Sequence, residues 1–281
     1  MITLILYLSG LLTPPPDSPH ASISPNLIYK TTQDESLSLD LYTPINTPGP
    51  WPVVVYVHGG VWVLGERAAD PDLKQRLAQR GIATAAIDFS RWADDGFRAQ
   101  VQDIKDAVRW LRAHAGELGL DPGRFGMFGS SSGGHLAGLA GFAGDGEGFG
   151  DDPPGTSSEV QALFLLYGLY DLTGNRSYNF LAHYFGGNAR FDQGTNLLEL
   201  FSPIYHIDGS EPPTQLLHGM EDNIIPIEQA ENLAAALTTA GVTAHVLKAQ
   251  GEPHGFAKTH KESRPLVYEL ITGFFESKLL P

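Results

Sequence analysis

The stretch RFGMFGSSSGGHLAG, Arg124 to Gly138, sets three serines in a row between glycines. A serine hydroxyl is a poor nucleophile until a neighbouring base removes its proton. The pattern G-x-S-x-G at a strand-to-helix turn is one way a chain exposes such a serine at the top of a sheet. The glycines choose among the three candidates. Ser131 has Gly129 two residues before it and Gly133 two after. Ser130 and Ser132 lack that flanking, so Ser131 is the expected nucleophile. Its place at a helix N-terminus also suits a developing oxyanion.

A base must follow. Among the late histidines, His245 falls inside the apolar run AHVLKA and His260 inside the charged KTHKES. His254 sits in QGEPHGF, a Gly/Pro loop between the last strand pattern and the last helix pattern, where a side chain can reach the sheet top. His254 is therefore the expected general base. The acid that orients it belongs to HGMEDNIIP, His218 to Pro226, after another buried strand. Asp222 and Glu221 both qualify by type. Asp222 is favoured, and its plain alternative is an ordinary turn carboxylate. The order Ser131, Asp222, His254 is the serine–acid–histidine order of one of the three known triad arrangements.

A tetrahedral intermediate also needs donors. VHGGVW, Val57 to Trp62, closes the most apolar strand with two glycines whose N–H groups no Cβ shields. Gly59, Gly60 and the N–H of Ser132 are the expected oxyanion hole, each such donor being worth about 3 kcal/mol. His58 is expected to order that loop rather than to act as a base. Val61 and Trp62 are expected to line the substrate pocket. The scheme calls for no metal and no cofactor.

The elements that must position these residues alternate. LSLDLYTP, PVVVYV, IATAAIDF, RFGMFG, VQALFLLYG, TQLLHG and AHVLKA read as strands. Helical spacing marks residues 72–81, 101–119, 134–143, 227–241 and 263–280; in the second, Val101, Ile104, Val108, Leu111 and Ala115 share one face. Strands alternating with helices of this length predict an α/β fold with a mostly parallel sheet covered on both faces. The domain is expected over residues 26–281. Residues from about Leu172 to Pro213 exceed a crossover and carry Tyr178, Phe180, Tyr184, Phe185, Phe191 and Phe201, which reads either as a lid insertion or as a satellite apolar cluster.

The first 25 residues form an apolar run, Ile2 to Leu12, and a proline-rich stretch, Thr13 to Pro25. The run is too short to span a bilayer. It has no preceding Lys or Arg and no small-residue cleavage site. A short helix on the domain is expected, with a signal remnant as the alternative, so a cytoplasmic location is slightly favoured over secretion. The proline-rich stretch is expected to be an extended linker. The net charge of −14 argues against nucleic acid as a partner. The absence of cysteine removes disulfides and thiolate chemistry. Oligomeric state does not follow from these features.

These motifs resemble the α/β-hydrolase superfamily, in its carboxylesterase branch, which includes hormone-sensitive-lipase-like, acetyl-xylan and feruloyl esterase-like and kynurenine formamidase-like enzymes. LDLYTP, HGGVW, LGLDPGRFGMFGSSSGGHLAG, SPI, HGMEDNIIP and GEPHGF carry the resemblance, from about Ile28 to Phe275. It implies an α/β-hydrolase fold and a serine carboxylesterase for short acyl or small aryl esters, a small-molecule ester as partner and no stable membrane insertion. An arylformamidase or amidase is the alternative, and a non-catalytic ligand-binding member the more distant one. The chain departs from the pattern at Val61, where relatives often carry glycine or alanine. It departs again at DFSRW, where they carry a Tyr-Arg pair, and at Ser132, where they carry alanine or glycine.

Overall fold

A computed structural model describes residues 3–6, 20–32, 35–91, 96–144, 147–149, 156–173, 196–256 and 260–281. Its centre is the valine-rich strand β4 (Trp51–Val57), whose last six residues are all buried. Val53, Val55 and Val57 enter the apolar core on one face of the sheet, and Val54 and Tyr56 that on the other. A strand with no solvent face is the expected outcome of a continuous β-branched run in a parallel sheet.

Around it lie β1 (Thr3–Leu6), β2 (Ala21–Thr31), β3 (Ser36–Pro44), β5 (Ala83–Ile87), β6 (Leu120–Ser130), β7 (Ala162–Leu166), β8 (Thr214–Gly219) and β9 (Ala244–Ala249). The sheet order is β1-β9-β8-β7-β6-β4-β5-β3-β2. β5, β4, β6, β7, β8, β9 and β1 run parallel, while β3 runs against both its neighbours, β5 and β2. The helices are α1 (Pro71–Gln79), α2 (Phe97–Ala113), α3 (Ala115–Leu118), α4 (Ser132–Phe142), α5 (Leu197–Leu200), α6 (Glu228–Thr239) and α7 (His260–Leu279). Leu136, Leu233 and Ile104, from α4, α6 and α2, pack on one face of the sheet. Leu77 and Phe275, from α1 and α7, pack on the other. This is an α/β-hydrolase fold. The predicted apolar face of α2 and α3 is buried, from Val101 to Ala115. Among the described residues, no helix is long and apolar enough to cross a membrane.

One expectation at the N-terminal end is corrected. Thr3–Leu6 is a strand, not a helix, and pairs in parallel with β9 from Thr3 opposite Val246 to Leu6 opposite Ala249. Without β1, β9 would be an edge strand with a row of unsatisfied backbone groups, and a short extended segment meets them. The proline-rich stretch also runs into the sheet, because β2 already begins at Ala21. Pro25 is tolerated there because β2 is an edge strand with a register shift between Ser24 and Leu27. Of the region read as a lid or satellite cluster, residues 174–195 lie outside the described residues, with five of its six aromatics. The sixth, Phe201, is fully buried in the core.

Candidate active site

Ser131 stands between the end of β6 and the start of α4 with φ 54° and ψ −123°. A non-glycine residue with positive φ is strained, and neighbours on all sides hold it there. Its N–H donates to Leu166 O at 2.9 Å, and its carbonyl accepts from His135 N–H at 3.0 Å. The flanking glycines have a steric reason. A Cβ on Gly129 would collide with Gly133 O, and a Cβ on Gly133 would collide with the carbonyls of Val57 and His58. Strand, turn and helix cross at one point, and only residues without a side chain fit the crossing.

The acid and base reach this serine because β8 and β9 are parallel neighbours, with Gly219 opposite Ala249. The two loops beyond them are tied together: Met220 N–H donates to Ala249 O at 2.9 Å and Glu221 N–H to Glu252 O at 3.0 Å. A Cβ on Gly219 would collide with Glu252 O. In consequence Asp222 turns inward, with no exposed side-chain surface, while Glu221 stays exposed. His254 opens a short helical turn, His254–Phe256, whose Gly255 has positive φ.

The structure brings the three together. Ser131 Oγ lies 3.0 Å from His254 Nε2, and His254 Nδ1 lies 2.7 Å from Asp222 Oδ2. Asp222 Oδ1 accepts from the Ile224 and Ile225 amides, both at 2.9 Å. The turn carboxylate and the partner of His254 are thus one group using its two oxygens separately. Behind it, fully buried His218 places Nε2 3.3 Å from Asp222 Oδ2 and 2.8 Å from Ile225 O. Burial alone would raise the Asp222 carboxyl. Hydrogen bonds from His218, His254 and the Ile225 amide outweigh it and hold the group well below the usual carboxylate range. An anion of this kind favours an imidazole that carries its proton on Nδ1 and keeps Nε2 free to accept from a serine. Tyr167 completes the surroundings, its ring edge-on to His254 at 4.9 Å and its hydroxyl bonded with Ser130.

The glycine loop after β4 lies across the elbow. A Cβ on Gly59 would stand 2.8 Å from Ser130 O and 3.4 Å from Ser131 Cβ. Ser132 is the first residue of α4, so its N–H lacks an intrahelical acceptor. Its hydroxyl is buried without a hydrogen-bond partner. His58 donates through Nδ1 to Gly59 O at 2.9 Å and stacks on Phe89 at 4.5 Å, as a loop-ordering residue would. In DFSRW, Arg91 donates to Gly65 O at 2.7 Å, a brace on the same loop.

One pocket expectation is corrected. Val61, Trp62 and Gly60 all have positive φ. This turn sends Val61 outward, 59% exposed, and Trp62 inward, 6% exposed. Trp62 is a core residue against Phe97 at 5.4 Å, and its indole N–H donates to His135 Nδ1 at 3.0 Å. The sequence reading assigned nothing to His135, Gln100, Tyr167 or His218. His135 had a visible signal, as the one polar side chain in the otherwise small and apolar segment GHLAGLAGFA.

The family model described as BD-FAE matches residues 39–237, more than half of the chain. The chain belongs to the BD-FAE family. The BD-FAE span contains Gly59, Gly60, Ser131 and Asp222 and ends before His254. Among curated proteins, the chain is 32% identical over 77% of its length to a probable isoprenylcysteine alpha-carbonyl methylesterase of Arabidopsis thaliana, covering 48% of that protein. It is 29% identical over 95% of its length to Esterase LipQ of Mycobacterium tuberculosis, covering 66%. The chain therefore spans about half to two-thirds of the length of these relatives. Among solved structures, the propionate-bound thermophilic esterase of Thermogutta terrifontis superposes with a TM-score of 0.78 at 28% identity, with 95% of this chain and 98% of that one covered. A truncated carbohydrate esterase from gut microbiota gives 0.79 at 23% identity, with 95% and 99% covered, a likeness of fold.

Proposed function

We propose that the protein is a serine carboxylesterase that hydrolyses short-chain acyl or small aryl esters through an acyl-enzyme. The observation that carries this reading is the continuous chain from Ser131 Oγ through His254 to Asp222, with links of 3.0 and 2.7 Å. Ser131 Oγ attacks the ester carbonyl while His254 Nε2 takes its proton. Gly59, Gly60 and Ser132 N–H groups receive the oxyanion. Collapse expels the alcohol, which takes the proton from His254, and leaves an ester on Ser131. Water, deprotonated by His254, then attacks that ester, releases the acid and returns the proton to Ser131. Asp222 holds the ring and stabilises the transient imidazolium.

The preference for acetyl to butyryl groups draws support from the Thermogutta terrifontis esterase, 26–28% identical, whose structures hold propionate and butyrate. A panel of nitrophenyl esters graded from acetyl to dodecanoyl tests it. The expected kcat/KM is at least about tenfold lower at dodecanoyl than at butyryl. Comparable rates along the series remove the chain-length claim, and Ser131→Ala with wild-type turnover removes the mechanism. Two further substrates separate neighbouring readings. Efficient hydrolysis of a prenylcysteine methyl ester would shift the preference from a small acyl group to a small alcohol. Faster turnover of N-formylkynurenine than of nitrophenyl acetate would make the protein a formamidase.

A further inference from the structure

His135 lies one helical turn beyond Ser131, on the helix α4 that Ser131 caps, with its backbone N–H donating to Ser131 O. It is fully buried. Its ring makes two hydrogen bonds of opposite sense. The indole N–H of Trp62 is a donor only, so Nδ1 at 3.0 Å must accept. The carbonyl of Phe201 is an acceptor only, so Nε2 at 2.8 Å must donate. Together they select the neutral ring with its proton on Nε2. The other tautomer, or the imidazolium, would set N–H against N–H at Trp62.

Trp62 closes the glycine loop. Gly60, Val61 and Trp62 follow one another at φ 133°, 54° and 64°, and two of them carry side chains. A non-glycine residue held at such angles is strained and persists only where its surroundings over-determine it. Here they do so at both ends of Trp62. The indole N–H is held by His135, and the carbonyl accepts from Gln100 Nε2 at 2.8 Å. The ring is wedged between Phe97 and His135, at 5.4 and 5.7 Å.

We infer that His135 is a positioning residue, which through Trp62 sets the glycine loop at a fixed distance from the nucleophile that caps its own helix. The inference rests on the reading of Ser131 as nucleophile and of Gly59 and Gly60 as oxyanion donors. It gives the inward turn of Trp62 a purpose beyond packing. Oxyanion donors help only when they meet the oxygen of the transition state. Their separation from Ser131 is then the quantity that must not drift, and one buried imidazole ties the two together.

The test compares Trp62→Phe, His135→Phe, His135→Gln and Trp62→Phe/His135→Phe with the wild type. Phe keeps a ring at either position and makes no such hydrogen bond, whereas Gln offers both an acceptor and a donor. The readouts are kcat and KM for nitrophenyl acetate and the affinity of a short alkylboronic acid, whose tetrahedral adduct mimics the intermediate. Trp62→Phe and His135→Phe should each lower kcat and boronate affinity about tenfold, with KM within about twofold, and the double variant should fall no further than the worse single one. His135→Gln should retain more activity than His135→Phe. The imidazole ¹⁵N spectrum of the wild type should show His135 neutral with its proton on Nε2. Losses that multiply in the double variant, a change confined to KM, or a proton on Nδ1 would overturn the inference. If His135→Phe does not fold, Trp62→Phe and His135→Gln carry the same comparison alone. Failures are separable. Inactive Ser131→Ala beside a wild-type-like Trp62→Phe defeats this inference only, whereas active Ser131→Ala defeats the reading beneath it.

Discussion

The two limbs that meet at Ser131 are held by different physics. The proposed acid–base limb is short and charged. Asp222 reaches His254 directly, its other oxygen is occupied by two backbone amides, and His218 stands behind it. The glycine loop is neutral and is held from outside, by the imidazole of His135, the amide of Gln100 and the guanidinium of Arg91 on its carbonyls and indole. Charge placed near a reacting ring acts through space and tolerates some slack. Backbone donors of the kind proposed for the glycine loop would not, so in this reading the loop needs rigid buried partners where the acid limb needs only a carboxylate. Substitutions in the charged limb should therefore be lethal to chemistry, and those around the glycine loop should loosen it.

The contrast can be broken at its strongest point first. Ser131→Ala should abolish hydrolysis of nitrophenyl acetate, with kcat down by about 10⁵–10⁶. Asp222→Asn should follow at about 10⁴, because the amide presents the wrong partner to His254 Nδ1. A fall of less than tenfold would show that the acid limb is not the charged half of the site. Gly133→Ala should act through the fold instead. Its Cβ has no room beside Val57 O and His58 O, so a loss of about 1–3 kcal/mol is expected in urea unfolding.

The two limbs also differ in how their stability depends on pH. Burial pushes the His135 imidazole from 6.5 down to about 4. The unfolded chain then binds the proton more readily than the folded one, so stability falls as pH drops from 6.5 to 4. The expected loss is about 3 kcal/mol across that window, and His135→Gln should remove it. Asp222 works in a lower window. Its folded carboxyl is held below the ordinary value, so its contribution is complete above about pH 3.9 and declines only as the solution becomes more acidic. Urea midpoints between pH 3 and 7.5 would separate the two, and a flat wild-type profile from 6.5 to 4 would contradict the buried neutral ring. The smallest effect belongs to Glu221→Gln. That side chain is exposed, and kcat should stay within about twofold; a loss like that of Asp222→Asn would exchange the roles of the neighbours.

The legible part of this molecule is the part encoded by period and by glycine. The run PVVVYV could only be a strand buried on both faces, and the periodic face from Val101 to Ala115 could only be a helix against it. Ser131 could be picked from three serines because Gly129 and Gly133 leave room for crossing backbones. Asp222 and His254 follow two of the strands, where loops of such a sheet deliver their side chains. Tertiary contact decided the rest. Trp62 had the composition of a pocket residue. Its direction came from three successive positive φ angles and from a partner 73 positions later in the chain. Thr3–Leu6 had the composition of a helix, and an open edge at β9 made it a strand. Local spacing marked the residues proposed to react. Which of them face one another, and which turn away to hold the others still, was decided by hydrogen-bond partners that only the folded chain brings within reach.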